Sequence, residues 1–223
     1  MYQYCLFDLD GTLTDSREGI TKSVQYALKH YGIDEPDLKK LEKFIGPPLA
    51  DSFAQFYGFP EKKAWEACEV YRERFIPIGA YENKVYDGVP EMLQQLKENG
   101  VRIALASSKP EVSVRKILDY FDLMQYFDVV VGSAPDGSHG SKEEIVERAL
   151  SELGVQVLSK EDRHSQCAMI GDRRFDICGA KKNGVTSVGV RFGFADEGEL
   201  EQAGADYIVD SVKEMEQLLL KND

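Results

Sequence analysis

Cysteine and histidine are scarce in this sequence, and neither residue type forms a cluster. The 223 residues include four cysteines and three histidines. They are Cys5, Cys68, Cys167 and Cys178, and His30, His139 and His164. No two cysteines form a C-x-x-C pair or the spacing of a secreted disulfide scaffold, so we expect reduced thiols and a cytoplasmic protein. Scattered histidines argue against a zinc esterase or a histidine phosphatase.

Positive charge and long apolar runs are also lacking. With 39 acidic and 27 basic residues the net charge is −12, which would repel a nucleic acid polymer over most of the surface. An anionic substrate would therefore need a local cluster of positive charge. No apolar run approaches the roughly 18 residues that a membrane span needs, so we expect no membrane partner.

The motifs of several enzyme classes are missing. The sequence has no P-loop ending in G-K-[ST] and no G-x-S-x-G nucleophile elbow. The C-x5-R spacing of thiolate phosphatases occurs twice, at Cys68–Arg74 and at Cys167–Arg173. The first stretch contains Glu69 and Glu73 and the second contains Asp172. Carboxylates in an anion-binding loop would repel phosphate, so we interpret both matches as chance.

The most informative segment present is Tyr4–Thr14, where an apolar strand leads into two acids. Asp8 and Asp10 follow the strand, and residues two apart on an extended chain point to the same side. Such close carboxylates repel each other, so either a cation binds between them or one keeps a proton. Thr12 adds a hydroxyl at the same rim. Because this strand begins so near the first residue, no signal peptide is expected before it.

This segment allows two other interpretations. Asp-Gly-Thr is also ordinary turn chemistry after a strand, and that alternative stays open at this point. An EF-hand loop starting at Asp8 would need Gly at its sixth position and Glu at its twelfth. The sequence has Leu13 and Gly19 there, which excludes the calcium loop.

Short apolar strands alternate with amphipathic helices in the second half of the chain. Strands are predicted at 101–107, 128–132, 168–171, 186–190 and 207–209, and helices at 91–99, 111–120, 142–153, 175–183 and 212–221. This alternation predicts an α/β fold with a Rossmann-like parallel sheet covered on both faces. Ligands bind at the carboxyl ends of such strands, and Asp8, Ser107 and Asp172 all fall there.

Residues 15–84 contain only helical patterns, at 18–31, 39–44, 49–57 and 62–75. Gly and Pro turn signals separate them, at 32, 46–48 and 58–60. We therefore predict an all-helical cap domain at 15–84, here called the helical insert, and a core formed by 1–14 and 85–223. Hinges at 14–16 and 83–87 would let the insert close over the strand ends as a lid. Residues 134–141 are predicted to form a polar loop.

Further polar residues follow the later strands. Asp172 and Asp176 form a second acid pair. Helix capping would account for one of these two acids. A bound hard cation such as Mg²⁺ would account for an oxygen-rich cluster of both beside Asp8 and Asp10. Ser107 and Ser108 suit a phosphate at a helix N-terminus, or simply cap the helix after Pro110. Lys142 begins a helix, where a cation needs an anionic partner unless it is solvated.

These motifs together resemble the haloacid dehalogenase (HAD) superfamily of phosphatases. The D-x-D-G-T motif is Asp8–Thr12, the Ser/Thr motif is Ser107, the lysine motif is Lys142 and the G-D-x-x-x-D motif is Gly171–Asp176. The helical insert resembles the α-helical cap of the phosphoglycolate phosphatase-like branch. The sequence at 45–49, 82–88 and 136–137 is similar to that of the 5′-nucleotidase-like subgroup of that branch.

The resemblance implies an Mg²⁺-dependent phosphomonoesterase acting on a small phosphate ester. Asp8 would be the nucleophile, Asp10 the general acid and base, and Lys142 would keep Asp8 ionised. The implied metal ligands are Asp8, the backbone carbonyl of Asp10 and Asp172, with Asp176 in support. The implied phosphate-binding groups are Thr12, Gly46, Ser107, Ser108 and Lys142.

More than one substrate and more than one protein class remain open. A nucleoside 5′-monophosphate is favoured over phosphoglycolate, a phosphomutase or a non-enzymatic binding protein; mutases of this superfamily commonly have an apolar residue in place of Thr12. A nucleoside could contact Phe53, Phe56 or Tyr57, and the carboxylate of phosphoglycolate could bind Lys43 or Arg17. Departures from the relatives bear on substrate preference: Arg173 stands where Ser is frequent, Glu143 where Pro is, and His139 where Arg is. The sequence does not decide between a monomer and a dimer.

Overall fold

The computed structural model describes residues 1–134 and 140–221. Its strands, in chain order, are β1 (Tyr4–Phe7), β2 (Thr14–Asp15), β3 (Lys84–Val85), β4 (Arg102–Pro110), β5 (Val129–Ser133), β6 (Cys167–Gly171), β7 (Thr186–Val190) and β8 (Tyr207–Val209). Most of the predicted loop at 134–141, including Asp136, Gly137 and His139, lies outside the described residues.

The α-helices are α1 (Arg17–His30), α2 (Leu49–Tyr57), α3 (Glu61–Arg74), α4 (Val89–Glu98), α5 (Glu111–Tyr120), α6 (Lys142–Glu152), α7 (Lys160–Gln166), α8 (Arg174–Asn183), α9 (Glu199–Ala203) and α10 (Val212–Leu220). Two 3₁₀ helices, Leu38–Phe44 and Met124–Tyr126, and one π-helical turn, Phe75–Gly79, complete the helical structure described. In these ranges no helix has both the length and the apolar character needed to cross a membrane.

Six parallel strands form the main sheet, in the order β5-β4-β1-β6-β7-β8. In β1, Leu6 packs into one hydrophobic cluster, whereas its neighbours Cys5 and Phe7 pack into the cluster on the opposite face. This alternation follows from the period of two in an extended chain, and it shows that both faces of the sheet are covered. The prediction of a Rossmann-like α/β fold is confirmed, with β8 at the edge as expected.

The bounds of several elements differ from the prediction for local reasons. The predicted helix at 62–75 ends as α3 at Arg74 and continues as a π-helical turn over Phe75–Gly79. Pro77 lies in that turn; it has no N–H to continue the α-helical pattern, so the backbone widens. The helix predicted at 39–44 is a 3₁₀ helix, and the sequence analysis did not foresee α7 or α9.

The two predicted hinge segments lie side by side. β2 and β3 pair antiparallel, with Thr14 opposite Val85 and Asp15 opposite Lys84. Chain entry into the helical insert and chain exit from it therefore run through one short two-stranded ribbon. The hydrophobic cluster inside the insert, which contains Phe44 and Phe53, is continuous with the cluster on one face of the sheet.

Candidate active site

Polar side chains from three neighbouring strands meet at one edge of the sheet. Asp8 directly follows β1, Asp172 directly follows β6, and these two strands pair in parallel. Ser107 lies in β4, one residue past Ala106, where the regular pairing with β5 shifts in register. The exposed fractions of Asp8, Ser107 and Asp172 are only 5%, 2% and 1%. The carboxyl ends of β4, β1 and β6 thus form the floor of a buried polar site.

Three carboxylates form an acid cluster at this floor. Asp8, Asp172 and Asp176 each have a carboxylate oxygen within 4.8 Å of those of the other two. Asp172 and Asp176 are brought together because α8 starts directly after the loop that follows β6. Three buried acids so close together carry more negative charge than one lysine can balance.

Lys142 supplies the single buried cation that contacts this cluster among the described residues. Its Nζ lies 3.0 Å from Asp8 Oδ1 and 2.8 Å from Asp176 Oδ1, and it donates to the carbonyl oxygen of Ala106 at 3.0 Å. Lys142 is the first residue of α6, where a cation is unfavourable without an anionic partner. Two carboxylates are that partner, and the solvated alternative is wrong, since Lys142 is only 7% exposed.

Burial and crowding shift the pKa values of the cluster. Burial, with Asp176 and Asp10 nearby, raises the pKa of Asp8 to about 6, although Lys142 opposes the shift. Burial and the neighbouring Asp176 and Asp8 raise the pKa of Asp172 well above its usual range. For Lys142 burial alone would lower the pKa, but Asp176 and Asp8 outweigh it and the pKa lies above the ordinary value. Without a further cation, the cluster therefore favours holding protons.

The oxygens of Asp172 fit a metal ion. Its Oδ2 accepts a hydrogen bond from the backbone N–H of Phe194 at 2.7 Å, while its buried Oδ1 has no hydrogen-bond partner among the described residues. Within the part of the chain that the structure describes, Oδ1 of Asp8 has no hydrogen-bond partner and only the ion pair with Lys142. An all-oxygen, anionic donor set of this kind suits Mg²⁺.

Asp176 is more fully engaged than the other two acids. Its Oδ2 accepts from the backbone N–H of Arg173 at 3.0 Å and caps α8, and its Oδ1 pairs with Lys142. Helix capping and a role in the cluster therefore both hold for this residue. Both carboxylate oxygens of Asp176 therefore have partners within the described structure.

A glycine is required at position 11, because the first acid motif (Asp8 and Asp10) packs closely against the second (Asp172 and Asp176). Its φ of +81° is in the left-handed region, and a Cβ there would lie 2.1 Å from Oδ2 of Asp172. No larger residue fits without displacing that carboxylate. The turn in Asp-Gly-Thr therefore exists, but it packs against the second acid motif, which ordinary turn chemistry does not require.

Asp10 has a partner that the sequence analysis missed. Nζ of Lys109 lies 2.6 Å from Asp10 Oδ2, with both side chains at most 10% exposed. The same ammonium lies over the ring of Phe75, 4.7 Å from its centroid, so the helical insert covers this ion pair. Lys109 was not among the candidate site residues; the available signal was a lysine directly after two hydroxyls at a strand end.

The remaining phosphate-binding candidates differ in burial and in distance from the acid cluster. Thr12 is fully buried, and its Oγ1 has no hydrogen-bond partner in the described structure. Ser107 is buried and Ser108 is half-buried; neither caps α5, whose N-cap is Pro110, so the capping alternative is wrong. Gly46 lies in the helical insert and contacts Arg173, the neighbour of Asp172, and not the acid cluster itself.

A cavity of about 510 Å³ lies beside the acid cluster, between the helical insert and the core. It is lined by Arg17, Glu35, Lys39, Lys40, Glu42, Lys43, Tyr57, Arg173, Gly193, Phe194, Ala195 and Asp196. Five of these residues are basic and three are acidic, which gives a local positive excess on a chain whose net charge is −12. Arg173, Gly193 and Phe194 line the side of the cavity next to Asp172.

Of the five residues suggested for substrate recognition, three line the cavity. Tyr57, Lys43 and Arg17 line it. Phe53 is fully buried in the hydrophobic core, and Phe56 lies beneath the ammonium of Lys43, 4.4 Å from ring centroid to Nζ. One aromatic and two cationic candidates therefore face the cavity.

The cysteine residues give a first prediction. Burial raises the pKa of Cys68 to about 12 and of Cys167 to about 11, and raises that of Cys5 further still, whereas Cys178 is exposed on α8. Thiolates are the reactive form, so we expect one of four thiols to react with a disulfide reagent in the native protein and all four after denaturation. Alkylation at Cys178 alone should leave catalysis intact. Loss of activity on alkylating a buried cysteine would instead revive the thiolate interpretation.

Comparisons with known proteins agree with this geometry. The model of the haloacid dehalogenase-like hydrolase family matches residues 5–190. A 5′-nucleotidase of Pseudomonas aeruginosa is 50% identical over 199 residues, which are 89% of this chain and 87% of that protein. The tyrosine-protein kinase PtkA of Mycobacterium tuberculosis is 37% identical over 192 residues, 86% of this chain and 63% of the kinase. The crystal structure of a predicted phosphatase from Clostridium acetobutylicum superposes with a TM-score of 0.93 at 46% identity, covering 99% of both chains.

Proposed function

The chain belongs to the haloacid dehalogenase-like hydrolase family and is a phosphatase, and on that premise we propose an Mg²⁺-dependent phosphomonoesterase that acts through an aspartyl-phosphate on Asp8. The observation that carries the proposal is the pairing of buried Asp8 with Lys142, beside Asp10 and Asp172. An isolated buried acid would be protonated and unreactive. The ammonium at 3.0 Å keeps a share of Asp8 ionised and able to attack phosphorus.

In the first step a carboxylate oxygen of Asp8 forms a bond to phosphorus as the bond from phosphorus to the leaving oxygen breaks. Asp10 donates a proton to that leaving oxygen, so the alcohol departs neutral. Lys142 and Ser107 would bind the non-bridging phosphate oxygens, where negative charge is concentrated in the transition state. Mg²⁺ held by Asp8, Asp172 and the backbone carbonyl of Asp10 would supply positive charge that offsets the repulsion between carboxylate and phosphate.

In the second step water attacks the phosphorus of the aspartyl-phosphate. Asp10 takes the proton from that water, and the bond between phosphorus and Asp8 breaks to release inorganic phosphate and regenerate the carboxylate. Lys109, paired with Asp10 at 2.6 Å, would keep this carboxylate directed toward the reacting atoms. We propose that the division into a core (1–14 and 85–223) and a cap domain (15–84) serves to exclude bulk water here.

Phosphate release from a panel of small phosphate esters, with Mg²⁺ and with EDTA, tests this function. We expect Mg²⁺-dependent release from at least one small metabolite and none from a phosphoprotein, because the acid cluster is enclosed. Label transferred from ATP to protein tyrosine, with no phosphate released, would instead favour the activity for which the kinase relative is named. We also propose that the protein works in the cytoplasm, where its free cysteines would stay reduced.

For the substrate we propose a nucleoside 5′-monophosphate, supported by the named activity of the relative from Pseudomonas aeruginosa and by Tyr57 in the cavity wall. Phosphoglycolate is the second candidate, because Lys43 and Arg17 in the same wall could bind its carboxylate. We expect kcat/KM to be highest for a nucleotide. If kcat/KM for phosphoglycolate exceeds that for every nucleotide by tenfold, about 1.4 kcal/mol of transition-state preference, the nucleotide proposal is wrong.

A pair of lysine variants separates the two candidates further. If Lys43 binds a carboxylate, Lys43→Gln should lower kcat/KM for phosphoglycolate by about 10- to 100-fold, the usual range for a lost charged hydrogen bond. The same change should alter nucleotide turnover little, since a nucleoside offers no carboxylate. Lys62→Gln is the matched control, because the Lys62 side chain is 92% exposed on α3 and does not line the cavity.

A further inference from the structure

Arg173 connects the acid motif of the core to the helical insert. It lies between Asp172 and the start of α8, and its side chain crosses to the insert, where Nη1 donates to the backbone carbonyl oxygen of Ile45 at 2.5 Å. On the core side its Nε donates to Oε1 of Glu199 at 3.0 Å. Arg173 is 9% exposed and Ile45 is fully buried. One guanidinium therefore bridges a carboxylate of the core and a carbonyl of the insert.

The loop that receives Arg173 is shaped for it. Gly46, directly after Ile45, has a φ of +100°, and a Cβ there would lie 2.9 Å from Cγ of Arg173. Any other residue would be strained by the backbone angle and would crowd the arginine stem. Pro47 and Pro48 follow and restrict the loop, so the carbonyl of Ile45 is held in a fixed direction.

The core end of the bridge is equally well fixed. Oε1 of Glu199 also accepts the backbone N–H of Arg174 at 2.8 Å, and Oε2 accepts that of Asp196 at 3.1 Å. The backbone N–H of Arg173 in turn donates to Asp176, which pairs with Lys142. The residue that holds the insert is therefore one hydrogen bond away from the acid that orients the catalytic lysine.

We propose that Arg173 is a positioning residue that latches the helical insert to the core and couples closure to the alignment of the acid cluster. The latch consists of Arg173, Glu199 and the carbonyl of Ile45. A hydrogen bond from a charged donor in a buried setting is stronger than one between neutral groups, so a single side chain can shift the balance between open and closed states. The kinetic part of this inference rests on the proposed phosphatase function; the structural part does not.

The structural part is tested by spin-label distances in the ligand-free protein. One label goes on exposed Cys178 of the core and the other on Lys62→Cys of the insert; the three remaining cysteines are buried. Arg173→Met keeps an apolar stem against Gly46 but removes the guanidinium donors to Glu199 and Ile45. We expect one narrow distance distribution in the parent protein and a broad one in Arg173→Met, with the closed-to-open ratio lowered about 10- to 100-fold.

Three further variants serve as comparisons for the spin-label distances. Arg174→Ala is the matched control, because the side chain of this neighbouring arginine is exposed and lies over the ring of Phe175, while its backbone N–H, which donates to Glu199, is kept in the variant. Arg173→Lys, which can bond one partner but not both in the fork geometry, should fall between the parent and Arg173→Met. If Arg173→Met does not fold, Gly46→Ala offers a second route, since its Cβ would displace the arginine with all its donors kept. An unchanged distance distribution in folded Arg173→Met or Gly46→Ala would overturn the latch.

Kinetics then separate a latch from a direct role in catalysis. If Arg173 acts through closure, Arg173→Met should lower kcat/KM about tenfold, mainly through KM, because bound substrate restores closure at saturation. A loss confined to kcat with an unchanged distance distribution would assign Arg173 to the reacting atoms and overturn the proposal. If no substrate is found, the distance measurement still decides whether the latch exists.

Discussion

Asp8→Asn is expected to remove phosphate release while leaving the protein folded. The amide nitrogen and oxygen of Asn are poor nucleophiles, so the covalent intermediate cannot form, and one oxygen ligand for Mg²⁺ is weakened as well. We expect turnover to fall by roughly 10⁴-fold or more, the scale at which loss of a nucleophile leaves only binding and electrostatic effects. Steady-state phosphate release at saturating substrate measures it.

The same variant should not be less stable than the parent without metal. Burial raises the pKa of Asp8 to about 6, so ionised Asp8 destabilises the folded state at neutral pH, and a neutral amide removes that penalty. Lys142 keeps its second partner, Asp176, at 2.8 Å. Thermal unfolding at pH 7.5 with EDTA should therefore give a Tm equal to or above that of the parent.

A matched change elsewhere guards against a general effect of Asp-to-Asn substitution. Asp119→Asn, at an exposed position of α5, should leave both turnover and Tm unchanged. Radiolabel from substrate should be trapped on the parent protein and on Asp119→Asn, but not on Asp8→Asn. Turnover that persists in Asp8→Asn and disappears in Cys167→Ser would contradict the aspartyl-phosphate mechanism and favour a thiolate enzyme.

The parts of the site that the sequence predicted are those that depend on local pattern. Asp8 and Asp172 each follow a short apolar run, and parallel strands place their carboxyl ends at one edge of the sheet. That inference needs only the period of two within each run and the order of strands and helices. Lys142 was identified for a similar reason, because a cation at a helix N-terminus needs an anion.

The parts that were missed depend on packing between distant segments. Arg173 and Ile45 are 128 residues apart in the chain, and nothing local to either shows that they touch. Lys109 reaches Asp10 because β4 shifts its register after Ala106, and that shift is not visible in the apolar pattern. The β2–β3 ribbon was missed because strands of two residues have no periodicity to detect.

Removal of Mg²⁺ is the second change with a large expected effect. EDTA should abolish phosphate release, and Mg²⁺ should restore it, because the acid cluster brings three carboxylates together and Lys142 pairs with only two of them in the described structure. A metal that binds only the folded state also raises stability. At a free concentration about 100 times Kd the gain is about 2.7 kcal/mol, or roughly 5–10 °C in Tm for a chain of this length.

The direction of the pH dependence follows from the raised pKa values. Asp8, with a pKa of about 6, and Asp172, with a pKa further above its ordinary value, bind protons more tightly when folded than when unfolded. The stability that these protons give is complete below the unfolded pKa, near 3.8, and is lost as the pH rises through the folded values. Without metal, Tm should therefore fall as the pH rises from about 4 through the pKa of Asp8, about 6, and on through the raised pKa of Asp172.

Mg²⁺ should reverse that fall, since it replaces the protons as the partner of the carboxylates. The increase in Tm caused by Mg²⁺ is thus expected to be larger at pH 7.5 than at pH 5, where protons compete for the same oxygens. Asp172→Asn should remove most of this increase and most of the turnover, because Oδ1 of Asp172 is a buried carboxylate oxygen that has no hydrogen-bond partner among the described residues. Asp119→Asn again serves as the control. A Tm that Mg²⁺ does not change at either pH, together with hydrolysis that survives EDTA, would show that this acid cluster works without a divalent ion.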